Sequence, residues 1–414
     1  RMTKAAFSLQ NIVQDFYWRN ASGGSMSAHF WQQFSEREIP PTTVQTHSAA
    51  HQNDRATRVL LQGKQIWKNY IFTAKAAWFY ERLDFFDDRI LLDARSHFHK
   101  FITDLSFQKT WKASHSFLLG NSYVHTRAMT AGYQNEKPRE NKIAVFASYR
   151  WQGERQQVLL ALRQSFVGTR RIPLIPSLAA QWQLSPHWML KTKLSKNYRL
   201  PTFNDRYWVP GGNPDLLPEN GWSEEASLVW DFPKGAFTLQ WQQSIFNRNI
   251  DQWILWLPAE GQSFWAARNV AKVWSRGFEE RLSIALAKKN YSIKLFANYD
   301  FIRSTSEVAL SLPRIEKGEQ LLYTPRHQAS AGLTVSGRHW SLQYMHIYRG
   351  ATIGINQAVK AYHTVDFYSS YSLKTKGYDC KFFFNVYNFS NRQYVIVERR
   401  PMPGRSFEAG VVFF

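Results

Sequence analysis

Residues 291–301 read YSIKLFANYDF. Tyr291, Ile293, Leu295, Ala297, Tyr299 and Phe301 fall on one side of an extended chain. Ser292, Lys294, Asn298 and Asp300 fall on the other, interrupted only by Phe296. Successive side chains of a strand point to opposite faces, so the stretch predicts a strand with one apolar and one polar face. The pattern recurs along the chain. Val365, Phe367, Tyr371 and Leu373 oppose Asp366, Ser370, Ser372 and Lys374. Trp188, Leu190, Thr192 and Leu194 oppose Lys191, Lys193 and Ser195, and Leu178, Ala180, Trp182 and Leu184 oppose Gln181 and Gln183. The fold class is all-β.

A soluble sandwich also alternates, so three further features place the chain in a membrane. The alternating segments run about 10 to 18 residues, whereas soluble strands average roughly 5–6 and a tilted strand needs about 9–11 to cross a bilayer. Short turns near Asn20–Gly24, Gly63–Lys68, Lys112–Ser114, Gln152–Arg155, Leu184–His187, Phe232–Gly235, Ala287–Asn290, Gly337–Arg338 and Lys374–Gly377 alternate with longer polar loops such as 36–54, 203–221, 304–326 and 350–361. Outer-membrane barrels have short periplasmic turns and long external loops. Finally, an aromatic residue stands beside each short turn: Trp18, Trp67 with Tyr70, Trp111, Trp151, Trp188, Trp230, Tyr291, Trp340 and Tyr378. An apolar ring with a polar tip is stable at the headgroup boundary, so these residues predict the inner girdle of a barrel. They also account for much of the aromatic content, 16% of the chain.

The composition fits this reading. The 414 residues are 44% hydrophobic and 20% charged, enough apolar material to rule out disorder. The single cysteine, Cys380, excludes an intrachain disulfide framework and multi-cysteine metal sites; its expected place is the lipid face. The net charge of +21 is spread along the chain rather than gathered on one element. With no helix-turn-helix, zinc-finger or basic-heptad pattern, it fits a polar lumen and loops, not a nucleic-acid partner. The chain opens on Arg1 without a leader and is read as mature or a fragment.

Nineteen strands are expected, beginning near residues 5, 25, 55, 70, 96, 115, 141, 156, 174, 188, 222, 236, 268, 290, 326, 339, 362, 378 and 406. If short turns are periplasmic, the first and last strands both run inward. An even-stranded barrel with periplasmic termini should open on an outward strand, so an odd number of strands is expected to be missing on the N-terminal side.

Residues 194–225, LSKNYRLPTFNDRYWVPGGNPDLLPENGWSEE, carry Arg199, Pro201 and Thr202, then Gly212, Asn213, Pro214, Leu216, Pro218 and Glu219. Residues 269–280 carry Asn269, Gly277 and Glu279, and residues 385–414 carry Asn388, Tyr394, Pro403, Gly404, Arg405 and Phe407. These three ordered motifs resemble the C-terminal barrel of TonB-dependent outer-membrane receptors; residues 1–150 match in architecture alone. The resemblance implies a twenty-two-stranded barrel in the outer membrane of a Gram-negative bacterium, with a plug inside. Residues 1–414 are then expected to form an incomplete barrel, lacking the plug, the TonB box and about three strands. The implied activity is energised import of a scarce large nutrient (a ferric siderophore, corrinoid or haem). The implied partners are TonB, the small-molecule ligand, outer-membrane lipid with its lipopolysaccharide, and a surface lipoprotein.

No G-x-S-x-G, H-E-x-x-H or phosphate-binding glycine loop is present, so no enzymatic activity and no cofactor are expected. His97 and His99 share a strand face, a pattern that suits a metal but more often meets water or a lumen, and no metal site is assigned to them. Candidate ligand contacts are external: Arg206, Tyr207 and Trp208 in loop 203–221, Tyr348 and Arg349 before loop 350–361, and Arg399 and Arg400 in the final hairpin. Aromatic and arginine side chains anchor anionic ligands through area and charge-assisted hydrogen bonds. The plainer reading is that external cations meet lipopolysaccharide phosphates. Two positions depart from the family pattern. Alternation puts Phe414 on the lumen face, and it turns Glu280 outward with Phe278 and Leu282, where a bulge or a place near the headgroups would be needed. The competing architectures are a passive porin, a non-transporting barrel subunit of a surface complex and a soluble basic β-protein.

Overall fold

The computed structural model describes residues 5–414 except 42–46, 135–136, 260, 263, 312–313 and 375–376. Parts of the expected loops 36–54 and 304–326, and the middle of the turn Lys374–Gly377, therefore lie outside the described residues. Among the described residues nineteen long strands are found, as alternation predicts. They are β1 (Phe7–Arg19), β2 (Gly24–Glu38), β3 (Ala50–Trp67), β4 (Tyr70–Asp87), β5 (Leu92–Trp111) and β6 (His115–Thr130). Next come β7 (Arg139–Gln152), β8 (Gln156–Val167), β9 (Ile175–Gln183), β10 (Trp188–Arg199), β11 (Glu219–Lys234), β12 (Phe237–Pro258) and β13 (Trp265–Ala287). The last are β14 (Tyr291–Ser306), β15 (His327–Gly337), β16 (Trp340–Arg349), β17 (Tyr362–Lys374), β18 (Asp379–Tyr387) and β19 (Ser406–Phe413). Each pairs antiparallel with the next, in one continuous meander. Short two- and three-residue segments in the external connections, such as Arg170–Arg171 and the pair Val395–Val397 and Arg400–Pro401, escaped the sequence reading.

The registers sort side chains onto two faces. Trp188 stands opposite Trp230, Trp230 opposite Trp241, Trp241 opposite Leu282, Leu282 opposite Ala297 and Ala297 opposite Ala331. This apolar face is the outside of the sheet. All the expected girdle residues that lie in strands, from Trp18 to Trp340, fall on it beside the short turns. Trp188 and Trp230 stack at 5.8 Å, and Trp111 stacks on His115 at 5.4 Å. Cys380 lies on the same face between Leu373 and Phe413. A second belt, unnoticed in the sequence, runs near the external strand ends. There Tyr299 Oη meets His327 Nδ1 at 2.8 Å and Tyr80 Oη meets His97 Nδ1 at 3.2 Å. His97 and His99 thus face outward into this tyrosine–histidine belt, rather than the lumen. The two belts bound an apolar band, which is the pattern a bilayer selects.

Three expectations need correction. The external connections are not uniformly long: 88–91 and 259–264 are tight because their strands run further outward, with β12 spanning 22 residues and β13 23. The strand extensions also shorten loop 36–54 to 39–49. And no bulge relieves Glu280. The β12–β13 register runs unbroken past Gln243–Glu280, and its irregularity lies instead between Ile250 and Ile254.

The sheet has two free edges among the described residues: β1 pairs with β2 alone and β19 with β18 alone. Both edge strands run toward the short-turn end, so they cannot close on each other as antiparallel neighbours. Among the described residues no helix is long and apolar enough to cross a membrane.

Candidate functional site at the external rim

The external end of β10 and the loop after it are organised around two buried carboxylates. Thr202 caps the short helix α1 (Phe203–Tyr207): its hydroxyl accepts from Asp205 N at 3.1 Å while the Asp205 carboxylate accepts from Thr202 N at 2.8 Å. This reciprocal capping satisfies two backbone donors that a helix start leaves unpaired. The other Asp205 oxygen accepts from Trp256 Nε1 at 2.9 Å, and the Asp205 carbonyl accepts from Asn213 N at 2.8 Å. Arg199 forms a two-pronged pair with Glu219, Nε to Oε2 at 2.7 Å and Nη2 to Oε1, and lies 3.8 Å from Asp205. Glu219 Oε1 also accepts from Ile254 N at 2.9 Å. Buried carboxylates are costly unless paired and hydrogen-bonded; here both are.

Apolar packing completes the lock. Leu216, 1% exposed, packs with Ile254 and Ala267, and Trp256 covers them. Asn269 holds both the N–H and the carbonyl of Leu217 and the carbonyl of Gln252. Gly211 adopts φ +109°, and a Cβ there would stand 1.9 Å from the Trp265 carbonyl oxygen, so no side chain is tolerated at this crossing. The motif residues Arg199, Pro201, Asn213, Pro214 and Glu219 therefore lie in the segment that fastens loop 200–218 onto β12 and β13. Gly277 has the same logic within β13, since a Cβ would meet the Phe301 carbonyl oxygen at 1.9 Å. Its neighbour Glu279 faces Arg281, which also pairs with Asp300 at 2.6 Å.

The final hairpin is tied by Asn388, in the left-handed region, which bonds Arg392 N, Arg392 O and Pro403 O. Arg405 N donates to Asn391 Oδ1, Gly404 lies against the same amide, and Tyr394 stacks on Tyr362 at 4.4 Å. Glu398 bridges to the neighbouring loop, accepting from Gln357 N at 2.7 Å and from Asn356 N and Nδ2. The Gln357 N–H above all holds the Glu398 carboxyl below its usual range, against the opposing effect of desolvation, and the Asn356 donors and the Arg399 charge add to the lowering.

The candidate ligand residues separate into groups. Arg206, Tyr207 and Trp208 come together, but as a packed unit. Arg206 pairs with Glu140 at 2.6 Å and lies over the Phe203 and Tyr207 rings. Trp208 meets Tyr133 edge-on and fills the space above Gly132. Tyr133 donates to Asn204 Oδ1, and burial pushes its phenol up. Tyr348 faces the outer apolar surface, opposite Ala329 and His363, away from the loop cluster. Arg349 takes the other face, opposite Tyr362. Arg399 and Arg400 are exposed at the tip of the final hairpin. Sequence reasoning missed Arg139, Arg170, Arg171 and Tyr198, which line a cavity of about 990 Å³ with Arg206 and Tyr207. The visible signal was the run VGTRR, 167–171, in an external connection.

A continuous, girdled, up-and-down sheet with an elaborated external rim defines a transmembrane β-barrel of the outer-membrane type. Residues 7–389 match the family described as TonB dependent receptor-like, beta-barrel, and the chain belongs to that family. Its barrels lie in the outer membrane of Gram-negative bacteria. The chain is 25% identical over 250 residues to the vitamin B12 transporter BtuB of Photobacterium profundum, covering 56% of this chain and 37% of that protein. It is 27% identical over 178 residues to the iron-regulated outer membrane virulence protein of Vibrio cholerae, covering 38% of this chain and 26% of that one. The chain thus spans well under half the length of these relatives. The siderophore receptor PirA from Acinetobacter baumannii has the same fold, with TM-score 0.77 at 12% identity over 100% of this chain and 72% of the receptor.

Proposed function

We infer that this chain is the barrel of an active importer that takes up a scarce, large nutrient (a ferric siderophore, corrinoid or haem) with energy delivered through TonB. The observation that carries this reading is the family match across residues 7–389, with the fastened rim loop at the external end. The two parallel free edges call for an odd number of intervening strands. Three would complete the family's twenty-two and leave a lumen wide enough to need a plug. A plug inside the barrel would carry the TonB contact. Lipopolysaccharide around the outer belt and a lipoprotein at the surface are the further partners in this reading, and none of them requires an enzymatic site.

The test is reconstitution of the complete gene product in planar bilayers. An importer holds its lumen shut and gives no steady conductance. A stable ohmic pore of the purified protein would make it a diffusion channel and end this reading.

A further inference from the structure

The cavity beside α1 is built unlike the rest of the rim. The tips of three external connections enclose it: the start of β7, the segment 167–173 and loop 200–218. Arg139, Arg170, Arg171 and Arg206 face two carboxylates there, Glu140 and Asp215. Glu140 is already taken by Arg206, and Arg139, Arg170 and Arg171 have no carboxylate partner among the described residues. Arg170 and Arg171 are held by backbone, not by chance: they pair with Val167 and Phe166 through the turn at Gly168, and Ile172 N donates to Ser165 O at 2.9 Å. Two residues that line the cavity each carry a buried polar atom without a partner, the Tyr198 hydroxyl and Arg206 Nε. Both can donate, and buried donors are left unpaired only rarely.

We propose that this cavity binds an oxyanion, the phosphate or carboxylate of a ligand or of a lipid headgroup, held by Arg170 and Arg171 with Tyr198 Oη and Arg206 Nε as buried donors. The excess of positive charge selects an anion. The planar arginine forks match phosphate and carboxylate geometry, and the two orphaned donors supply directed hydrogen bonds that a solvated charge patch would lack. The proposal deepens the importer reading and rests on it for the cavity's access to the outside.

The test uses the protein extracted from its outer membrane in detergent, titrated calorimetrically with inorganic pyrophosphate, with lipid A phosphate measured in the same preparations. Arg170→Gln with Arg171→Gln lies on an exposed segment and should leave the barrel folded. Pyrophosphate affinity is expected to fall at least tenfold in this double variant and severalfold in Tyr198→Phe. Arg338→Gln, a charge removed at the opposite end, should leave it unchanged. If the double variant instead loses co-purified lipid A phosphate, the oxyanion is a lipid headgroup; if lipid A is unaltered while pyrophosphate binding weakens, it is a soluble ligand. Pyrophosphate affinity and lipid A content both equal to wild type in the double variant would overturn the site. Because the assay reads binding and not transport, its failure is distinct from a failure of the importer reading.

Discussion

Trp241 Nε1 donates to Glu280 Oε2 over 2.7 Å on the outer face of the sheet, between Ile245 and Leu282. Gln243 Nε2 donates to the other carboxylate oxygen at 2.6 Å. A lone carboxylate facing lipid is unfavourable; here two neighbouring strand side chains replace the water it gives up. No bulge is needed because the penalty is met by hydrogen bonding within the pleat.

Trp241→Phe keeps the ring and removes one donor to a charged group. The folded barrel should lose about 1.5–3 kcal/mol, read by urea unfolding in lipid. Glu280→Gln, which removes the charge, should restore most of that loss in the Trp241→Phe background. An unchanged unfolding midpoint in Trp241→Phe would mean that the contact contributes nothing.

Gly277→Ala should prevent correct pairing of β13 with β14, because the added Cβ meets backbone, which cannot swing aside. Gly63→Ala meets nothing within 4 Å and serves as the control. The gel shift of folded against heated barrel reads both. Gly277→Ala should abolish the compact form and Gly63→Ala should keep it.

The Glu398 bridge makes a prediction about pH. Its carboxyl is depressed in the folded loop, so the contact is fully present above the unfolded carboxyl's value and fails as pH falls through the lower folded value. Limited proteolysis within 350–361 should be flat across neutral and mildly acid pH and rise only below the ordinary glutamate range. Glu398→Ala should be cleaved faster already at neutral pH, whereas a wild type that opens near neutrality would contradict the assignment.

Leu342 and Gln343 are adjacent and on opposite faces. In a Cys380→Ser background, a nitroxide at Leu342→Cys should be accessible to lipid-soluble oxygen, and one at Gln343→Cys to a water-soluble nickel chelate. Equal accessibility at the two positions would contradict the membrane orientation of β16.

The strands were legible because lipid and lumen impose strict alternation, as along 291–301 and 340–349. Alternation also placed Tyr348 on the outer face, although the sequence reading grouped it with loop residues. Beyond Ile250 the rule weakens. Ile254 and Trp256 pack with Leu216 of loop 200–218, while Leu255 and Leu257 take the other side of the strand, so both sides of β12 become apolar and its outward extension was missed. The rim contacts had no local signal at all. Arg206 and Glu140 are 66 residues apart, and only the fold brings them together.

Energised import is the central claim, and uptake tests it most directly. Cells carrying the gene and cells deleted for it are compared for accumulation of labelled ferric siderophore, corrinoid and haem at limiting concentration, with and without TonB. The account predicts that one of these ligands accumulates only when both the gene and TonB are present. Gene-dependent accumulation that persists without TonB, or no gene-dependent uptake of any of the three, would contradict it.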